Sequence, residues 1–394
     1  MSWEVKKLSD CCVSIADGDH QAPPKADFGI PFVTISDINV YNQFDFTDTM
    51  FVPQEYYDRL DNKRKAQKGD VLYSVVGSFG IPVYMKETVP FVFQRHIAIL
   101  RPNDTILPQF LYYTMLSRDF YMMADAAALG AAQRTVSLTA LRNIRISVPP
   151  MDAQKKIVDT LSAYDTLIEN NQKQIKLLEE AAQRLYKEWF VDLRFPGHEN
   201  TKITDGVPEG WSVQSINDIA EYINGYAFKP SDWGNLGKPI IKIKEMGSGI
   251  ASDTPRNTGE SIPGRYNVTA GDILFSWSAT LSAKIWDEED GLLNQHLFKV
   301  IPHGGVSREF VLQSILKTLD EFSNLTTGST MKHIQRGKLK EVHIIVPNEQ
   351  MMHIYESISE PSREQILKLK KRIVILQEAR DRLLPKLMSG EIEL

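Results

Sequence analysis

The sequence predicts an α+β protein: two globular domains of similar fold, joined by two long helices that form an antiparallel coiled coil, in an internal pseudo-twofold repeat. First, the strand-like run 69–74 (GDVLYS) returns at 271–276 (GDILFS). Second, residues 130–149 align with 328–347 without a gap. Third, each copy is followed by a charged segment with regularly spaced Leu and Ile, the pattern of a coiled coil.

This repeat divides the chain into four segments, which alternate between globular domain and helix. Their predicted bounds are 1–150, 151–195, 196–347 and 348–394. The turn-forming, polar stretch at 195–210 marks the end of the first helix and the start of the second domain.

The composition indicates an ordinary globular chain, since 42% of the 394 residues are hydrophobic and 24% are charged. We expect no membrane-spanning segment and no signal peptide, because the chain has no long apolar run and no apolar stretch near its start. The two cysteines, Cys11 and Cys12, are adjacent and predict no structural disulfide, which favours a cytoplasmic location. The net charge of −5 weighs against nucleic acid, but binding depends on local basic runs such as 63–65 (KRK).

Each globular domain is expected to contain many short strands. Runs of β-branched and aromatic residues bounded by Gly, Pro, Asp or Asn predict strands at 31–35, 71–76 and 97–100. Helices are expected at 108–127 and 137–142. The second domain repeats this order, with Trp211 in the place of Trp3.

The segment 151–191 has almost no Gly or Pro and steps alternately by four and three residues between its core positions. These positions are Ile157, Leu161, Tyr164, Ile168, Asn171, Ile175, Leu178, Ala182, Leu185 and Trp189. Asn171 is the single polar member of the seam, and we expect it to fix the register of the coiled coil. The apolar residues Leu177, Tyr186 and Phe190 are expected to face outward and to dock a partner protein.

The C-terminal segment repeats the pattern with Ile366, Leu369, Ile373, Leu376, Arg380, Leu383 and Leu387. Pro361 suits a helix start and is unfavourable inside a helix, so it predicts a late start or a kink in this second long helix. An amphipathic helix on its own domain is the alternative for one such run. Two runs in matching places favour an intramolecular pair.

Sequence motifs for catalysis are absent. No Gly-x-Gly-x-x-Gly follows a strand, no phosphate-binding loop with Gly-Lys-Ser/Thr occurs, and the Cys and His spacing predicts no zinc site. The Asn-Pro-Pro-aromatic tetrad of amino-methyltransferases is also missing. The chain is therefore predicted to bind without a metal, a cofactor or a catalytic residue of its own.

Each copy also carries a set of three short motifs in the same order. The first copy carries 17–20 (DGDH), 29–32 (GIPF) and the triplet 94–96 (QRH). The second carries 224–230 (NGYAFKP), 237–240 (GKPI) and the triplet 294–296 (NQH). With the paired Gly-Asp strands and the Val-Pro step into a long helix, this ordered set resembles the specificity subunit of type I restriction–modification enzymes over nearly the whole chain.

The resemblance implies two target recognition domains that each bind one half of a bipartite, asymmetric site in double-stranded DNA. It implies that the helices set the gap between the halves and dock two modification subunits, which methylate adenine N6 with S-adenosylmethionine. Restriction subunits, which are ATP-dependent motor–nucleases, would complete the complex. Catalysis and the cofactor then belong to these partners.

DNA contacts are predicted where donors and acceptors stand at matching places in the two copies. In the first copy the candidates are Asp19, His20, Gln21, Lys25, Ser78, Arg95, Gln133, Arg134 and Thr135. In the second they are Tyr226, Phe228, Lys229, Trp277, Gln295, Ser329, Thr330, Lys332 and His333. For Arg134 and Lys332 the alternative is a solvated charge, and for Phe228 it is a core position. His96 and His296 are expected to support the scaffold.

Two other functions remain open at this point. An enzyme with an unrecognised active site predicts activity of the purified chain alone. A scaffold whose two domains bind protein predicts no salt-dependent affinity for DNA, and the net negative charge is its best support.

Overall fold

The chain, a computed structural model that describes residues 3–130, 134–324, 334 and 336–393, divides into two compact units. The first unit comprises residues 1–168 and 375–394, and the second comprises 169–374. Both boundaries lie inside long helices, so each unit contains a globular part and a section of each long helix.

The first unit contains nine strands in its described residues, together with four short helices and the start of a long one. The strands are β1 (Glu4–Lys7), β2 (Cys12–Asp17), β3 (Ile30–Val33), β4 (Met50–Val52), β5 (Val71–Ser74), β6 (Pro82–Tyr84), β7 (Val92–Phe93), β8 (Ile97–Pro102) and β9 (Arg145–Val148). The helices are α1 (Gln54–Arg59), α2 (Pro108–Leu116), α3 (Arg118–Ala126), α4 (Leu138–Asn143) and the long α5 (Met151–Tyr186).

The second unit repeats this series with further strands and ends in a second long helix. The strands are β10 (Ile203–Thr204), β11 (Val207–Pro208), β12 (Ser212–Ser215), β13 (Ala220–Asn224), β14 (Lys238–Ile241), β15 (Arg256–Asn257), β16 (Asn267–Val268), β17 (Ile273–Ser276), β18 (Ser282–Ile285), β19 (Gly291–Leu293), β20 (Leu297–Pro302) and β21 (His343–Val346). The helices are α6 (Ile243–Ser248), α7 (Arg308–Lys317), α8 (Leu319–Asn324) and α9 (Glu349–Met388).

The sheets of the two units have the same topology. The antiparallel sheet β2-β8-β5-β6 of the first unit corresponds to β13-β20-β17-β18 of the second. A smaller mixed sheet, β4-β3-β7, corresponds to β15-β14-β19-β16, and the pairs β3–β7 and β14–β19 are both parallel. The two-stranded antiparallel sheets β1–β9 and β12–β21, which join the start of each globular part to its end, also match. The predicted internal repeat and α+β class are confirmed.

The central strands β5 and β8 are buried on both faces, which explains why their sequences are continuous apolar runs rather than alternating ones. One face, with Val71 and Tyr73, packs against the helices. The other, with Leu72 and Ile99, packs against the aromatic side chains from the smaller sheet. The predicted strands at 31–35, 71–76 and 97–100 are therefore present as β3, β5 and β8.

The predicted helix at 108–127 is two helices in the structure. The hydroxyl of Ser117 accepts a hydrogen bond from the amide of Phe120 (3.2 Å), so it caps the start of α3 where α2 has ended. Ser137 caps α4 in the same way through the amide of Ala140 (3.1 Å). Hydroxyl caps rather than hydrophobic periodicity therefore set these boundaries.

Helices α5 and α9 run antiparallel within each unit. In the first unit, Ile157 and Leu161 share a core cluster with Leu384 and Leu387, and Asp165 pairs with Arg380 at 2.8 Å. In the second, Lys370 lies 4.0 Å from Glu179, and just after α5 the ring of Trp189 contacts that of Tyr355 at a tilt, with 6.0 Å between centroids. In both units, residues later in α5 therefore contact residues earlier in α9, which makes the two helices antiparallel. The supercoiling of the pair stays a prediction.

The second long helix does not begin after Pro361, so the expected late start is wrong, while the alternative of a kink stays a prediction. Helix α9 begins at Glu349 and continues to Met388 with Pro361 in its interior. The backbone cost of an internal proline is offset by tertiary contacts on both sides of it. Tyr355 is fully buried before it, and Arg363 forms a buried ion pair after it.

A polar contact, partly buried in the first unit and buried in the second, ties the globular part to the long helices in each unit. In the first, the hydroxyl of Tyr113 on α2 donates to Asp165 on α5 (2.5 Å). Burial and the Asp165 carboxylate raise the pKa of Tyr113, which keeps this donor protonated. In the second, Arg363 on α9 binds Glu309 on α7 at 2.6 Å, and Gln313 donates to the other oxygen of Glu309.

We predict that Ala279→Gly stabilises the second unit by about 1 kcal/mol, because an L-residue costs roughly this much in the left-handed region. Ala279 has φ of 58°, whereas the first unit has Gly77 with φ of 69° after the matching strand. Urea unfolding followed by tryptophan fluorescence measures the change. Gly77→Ala is expected to destabilise the first unit, and an unchanged or lower midpoint for Ala279→Gly would contradict the prediction.

We predict that Arg363→Met lowers the free energy of unfolding by about 3–5 kcal/mol, because it leaves the Glu309 carboxylate buried without its cation. The double variant with Glu309→Leu is expected to recover most of this loss. Arg382→Met is the matched control, since Arg382 pairs with Glu378 on the surface and is 81% exposed. Its loss should stay below about 0.5 kcal/mol. Equal losses for the two single variants would show that the buried pair has no special role.

Candidate nucleic-acid interface

A glycine in each unit lets a long loop touch a neighbouring turn. We call residues 18–29, between β2 and β3, the first loop, and residues 225–237, between β13 and β14, the second loop. A Cβ atom on Gly18 would lie 2.2 Å from the carbonyl oxygen of Phe93, and one on Gly225 would lie 2.1 Å from that of Asn294. Only glycine fits such an approach, so both copies hold the loop against the turn by the same contact.

In the first unit, backbone hydrogen bonds bring together four of the predicted regions. The amide of Arg95 donates to the carbonyl of Asp19 (3.0 Å). The carbonyl of His96 accepts from the segment after β5 (2.8 Å), and Gly77 in that segment donates to the carbonyl of Arg134 (3.0 Å). Residues that are 115 positions apart in sequence, 19 and 134, therefore belong to one connected set of loops.

The second unit joins its matching loops through side chains as well as backbone. The amide of Tyr226 donates to the carbonyl of Leu293 (2.8 Å). The indole nitrogen of Trp277 donates to the Asn224 side chain (3.2 Å), and its ring lies 5.7 Å from that of His296. Trp277 thus joins the end of β13, just before the second loop, to the 294–296 turn.

Asp19 stabilises the first loop rather than extending into solvent. Its carboxylate accepts a hydrogen bond from the hydroxyl of Tyr56 and lies 3.6 Å from Arg64. Burial raises the pKa of Asp19, but the hydrogen bonds from Tyr56 and two backbone amides, together with Arg64, outweigh burial and lower it. His20 bonds to Asp17 at 2.7 Å. The two carboxylates, Asp17 and Asp19, therefore orient His20, Arg64 and the start of the first loop.

Tyr56 and Arg64 were missed as candidates from the sequence. Arg64 belongs to the basic run 63–65, but its pairing with Asp19 spans 45 positions and leaves no local pattern. Tyr56 lies on the short helix α1, and burial, together with its hydrogen bond to Asp19, raises the pKa of Tyr56 to about 12.

Gln21, Lys25, Arg95 and Lys229 are among the predicted polar contacts that are exposed. Within the described part of the chain, the cations among them have no ion-pair partner. Gln295, at the place of Arg95 in the second unit, is partly exposed. Such donors suit phosphate oxygens or the guanine and adenine edges of the major groove.

Arg134 is already engaged within the protein. Its guanidinium binds Asp125 at 2.5 Å and lies 5.9 Å above the ring of Phe79, while 45% of the side chain stays exposed. Ser78 is exposed on the adjacent turn, and Thr135 is partly buried. The Arg134 charge is therefore partly balanced before any phosphate is bound.

Three sequence predictions are corrected by burial. Phe228 is 8% exposed and packs with Ile240 and Leu292, so it supports the second loop and is not placed to contact DNA. Tyr186 and Phe190, predicted to face outward, are each 4% exposed within the core of the second unit. A π-helical turn over Lys187–Val191 follows α5, and these aromatic rings pack among those of the globular part.

The remaining helix candidates differ from one another in exposure. Leu177 is 64% exposed and remains a candidate for partner docking. Asn171 is 3% exposed, and its side-chain nitrogen has no hydrogen-bond partner among the described residues. Five predicted contacts lie outside the described residues: Gln133, Ser329, Thr330, Lys332 and His333.

The described residues contain no group of three or more His, Cys, Asp or Glu placed to hold a metal ion. No helix among them is long and apolar enough to cross a membrane. The chemistry that the loops offer is hydrogen bonding, positive charge and aromatic surface.

Comparison with known proteins finds matches to type I specificity subunits in sequence, and a similar fold in a solved S subunit. The family model described as "Type I restriction modification DNA specificity domain" matches residues 1–180 and 208–372. The MjaIX specificity subunit of a type I restriction enzyme from Methanocaldococcus jannaschii is 24% identical over 99% of this chain and 93% of its own length. The HindI specificity subunit from Haemophilus influenzae is 22% identical over 84% of this chain and 88% of its own. In fold, the crystal structure of a type I restriction–modification S subunit from M. genitalium aligns with a TM-score of 0.54 at 16% identity, covering 98% of this chain and 96% of that one.

We predict that Asn171→Leu raises the free energy of unfolding by about 1 kcal/mol or more, because a buried donor without a partner costs roughly this much. Asn170→Leu is the control, because Asn170 is exposed on the same turn of α5. Its effect should stay within about 0.5 kcal/mol. Destabilisation by Asn171→Leu, measured by urea unfolding, would show that the amide makes a needed hydrogen bond.

Proposed function

The chain belongs to the type I restriction–modification DNA specificity family, and we propose that each of its two units recognises one half of a bipartite site in double-stranded DNA. It is the specificity subunit of such a system, the DNA-recognition component without catalysis of its own. The observation that carries the proposal is the connected set of loops found at the same place in both units.

Different loop residues on a shared frame support an asymmetric site. The first loop presents Gln21 and Lys25, whereas the second presents Lys229, and the ring of Tyr226 in that loop packs against Phe228. Arg95 in one turn is replaced by Gln295 in the other. Arg favours guanine edges and Gln favours adenine, so the two half-sites are expected to differ in sequence.

The long helices, we propose, set the gap between the half-sites. Helix α5 has 36 residues and α9 has 40, and each is tied to a globular part by buried polar contacts. A length change in the helices then moves one recognition unit along the DNA relative to the other.

Partners supply the chemistry in this proposal. Two modification subunits, with S-adenosylmethionine as methyl donor, would dock on the long helices near the exposed Leu177 and methylate adenine N6. Restriction subunits, the ATP-dependent motor–nucleases, would join them for cleavage of unmodified DNA in the cytoplasm.

The test is to co-express the chain with the modification subunit and to map N6-methyladenine across the host DNA. We predict a motif with two defined halves separated by a constant gap. A continuous motif, or none although the proteins co-purify, would contradict the proposal. If the chain binds other proteins but shows no salt-dependent affinity for DNA, it would instead be a scaffold whose two domains bind protein.

We further predict that one added heptad in both helices widens the gap by about three base pairs. Seven residues lengthen a helix by about 10 Å, and each base pair of duplex spans about 3.4 Å. The insertions belong between Asp165 and Glu179 in α5 and between Lys370 and Arg380 in α9, that is, between the two ion pairs that mark the pairing of the helices. An insertion in α5 alone is the control and should abolish a defined gap. An unchanged gap with both insertions would rule out the helices as its determinant.

A further inference from the structure

Phe28 and Leu236 are the most exposed large hydrophobic side chains in the part of the chain that the structure describes, at 85% and 78%. They occupy the same position in the two units. Phe28 precedes Gly29 and β3, and Leu236 precedes Gly237 and β14. A single exposed apolar residue is ordinary, but the same exposure at the same place in two divergent copies indicates a shared role.

The backbone around each residue is fixed by matching contacts. Ala26, two residues before Phe28, donates its amide to the carbonyl of Phe51 (2.8 Å) in β4. Gly234, two residues before Leu236, exchanges two hydrogen bonds of 2.8 Å with Arg256 in β15. Each apolar side chain therefore stands on a bend that is bonded to the adjacent strand.

The glycine that follows closes the same bend from the other side. Gly29 has φ of 140° and Gly237 has φ of 94°, a region that suits glycine. A Cβ on either residue would lie 2.3 Å from a carbonyl oxygen of the neighbouring strand, that of Val52 or Asn257. The outward direction of Phe28 and Leu236 is thus built into the backbone before any ligand is bound.

The loops that carry these residues also carry exposed polar candidates. Lys25 lies three residues before Phe28, and Lys229 lies on the same loop as Leu236. Apolar side chains such as Phe and Leu act as wedges between base steps when nearby cations hold the phosphates. Adenine N6 methylation requires the base to leave the stack, which is easier where the stack is already disturbed.

We propose that Phe28 and Leu236 are DNA wedges, one for each half-site, that insert against the base stack and lower the cost of unstacking there. This inference rests on the proposed function. It explains why the residues differ in identity while both are apolar, since a wedge needs surface and shape rather than a hydrogen-bonding pattern.

The experiment uses the complex of the full chain with its modification subunit and a duplex that contains the mapped site. 2-Aminopurine replaces the target adenine in one half-site at a time, and its fluorescence rises when it unstacks. We expect Phe28→Ala to reduce the rise in one half-site and Leu236→Ala to reduce it in the other. Each should weaken duplex binding by roughly tenfold, as expected for losing a buried large apolar side chain.

Two controls separate wedging from other roles. Phe28→Leu should retain the fluorescence rise, because leucine serves at the matching position. Val40→Ala removes another exposed side chain of the first unit, 72% exposed and outside the first loop, and should change nothing.

Normal fluorescence and affinity with both alanine variants would overturn the wedge while leaving the proposed function intact. Loss of the modification subunit on purification of Phe28→Ala or Leu236→Ala would assign these residues to protein docking and also overturn it. Failure of the unaltered complex to bind the duplex would remove the proposed function itself, and the wedge with it.

Discussion

The attachment of each globular part to the long helices is the constraint on which the function of this fold depends. In the second unit, Arg363 reaches from α9 to Glu309 on α7, both almost fully buried. In the first, Asp165 on α5 accepts from Tyr113 and binds Arg380 on α9. A recognition loop has a defined position along DNA only if its domain cannot rotate on the helices, and directional, buried contacts restrict that rotation better than apolar packing alone.

Recognition of two different half-sites also requires that both units share one scaffold while their exposed loop residues differ. The repeated sheets and the glycine contacts at Gly18 and Gly225 hold the loops at the same place in both units. The exposed side chains on this frame differ between the two units, while backbone hydrogen bonds hold the loops that carry them. Because loop substitutions at such places cost little stability, specificity can change while the scaffold persists.

The sequence was sufficient for features that depend on local or periodic patterns. Strands such as β5 were predicted from their apolar runs, and the internal repeat was predicted from direct alignment. It failed where distant contacts decide the outcome. Phe190 is buried because the second globular part packs around the end of α5, and Pro361 is tolerated because tertiary contacts hold the helix on both sides of it.

The candidate site shows the same division. Alignment of the two copies located the loops, and the structure shows that they are connected. The alignment could not show that the Arg134 charge is paired with Asp125 or that Tyr56 binds Asp19. Those pairings join residues without a fixed spacing. Exposure of a side chain, as at Phe28, is likewise a property of the folded backbone and has no sequence signature of its own.

If each unit recognises its own half-site, a substitution in one unit changes the sequence preference in one half of the motif. The most direct measurement is the methylation motif of two variants in complex with the modification subunit, Arg95→Ala in the first unit and Gln295→Ala in the second. Each side chain lies on the turn of its unit that contacts Gly18 of the first loop or Gly225 of the second loop. We expect relaxed sequence preference in one half of the motif for Arg95→Ala, in the other half for Gln295→Ala, and an unchanged gap in both. Changes that affect both halves alike would contradict separate recognition of the half-sites.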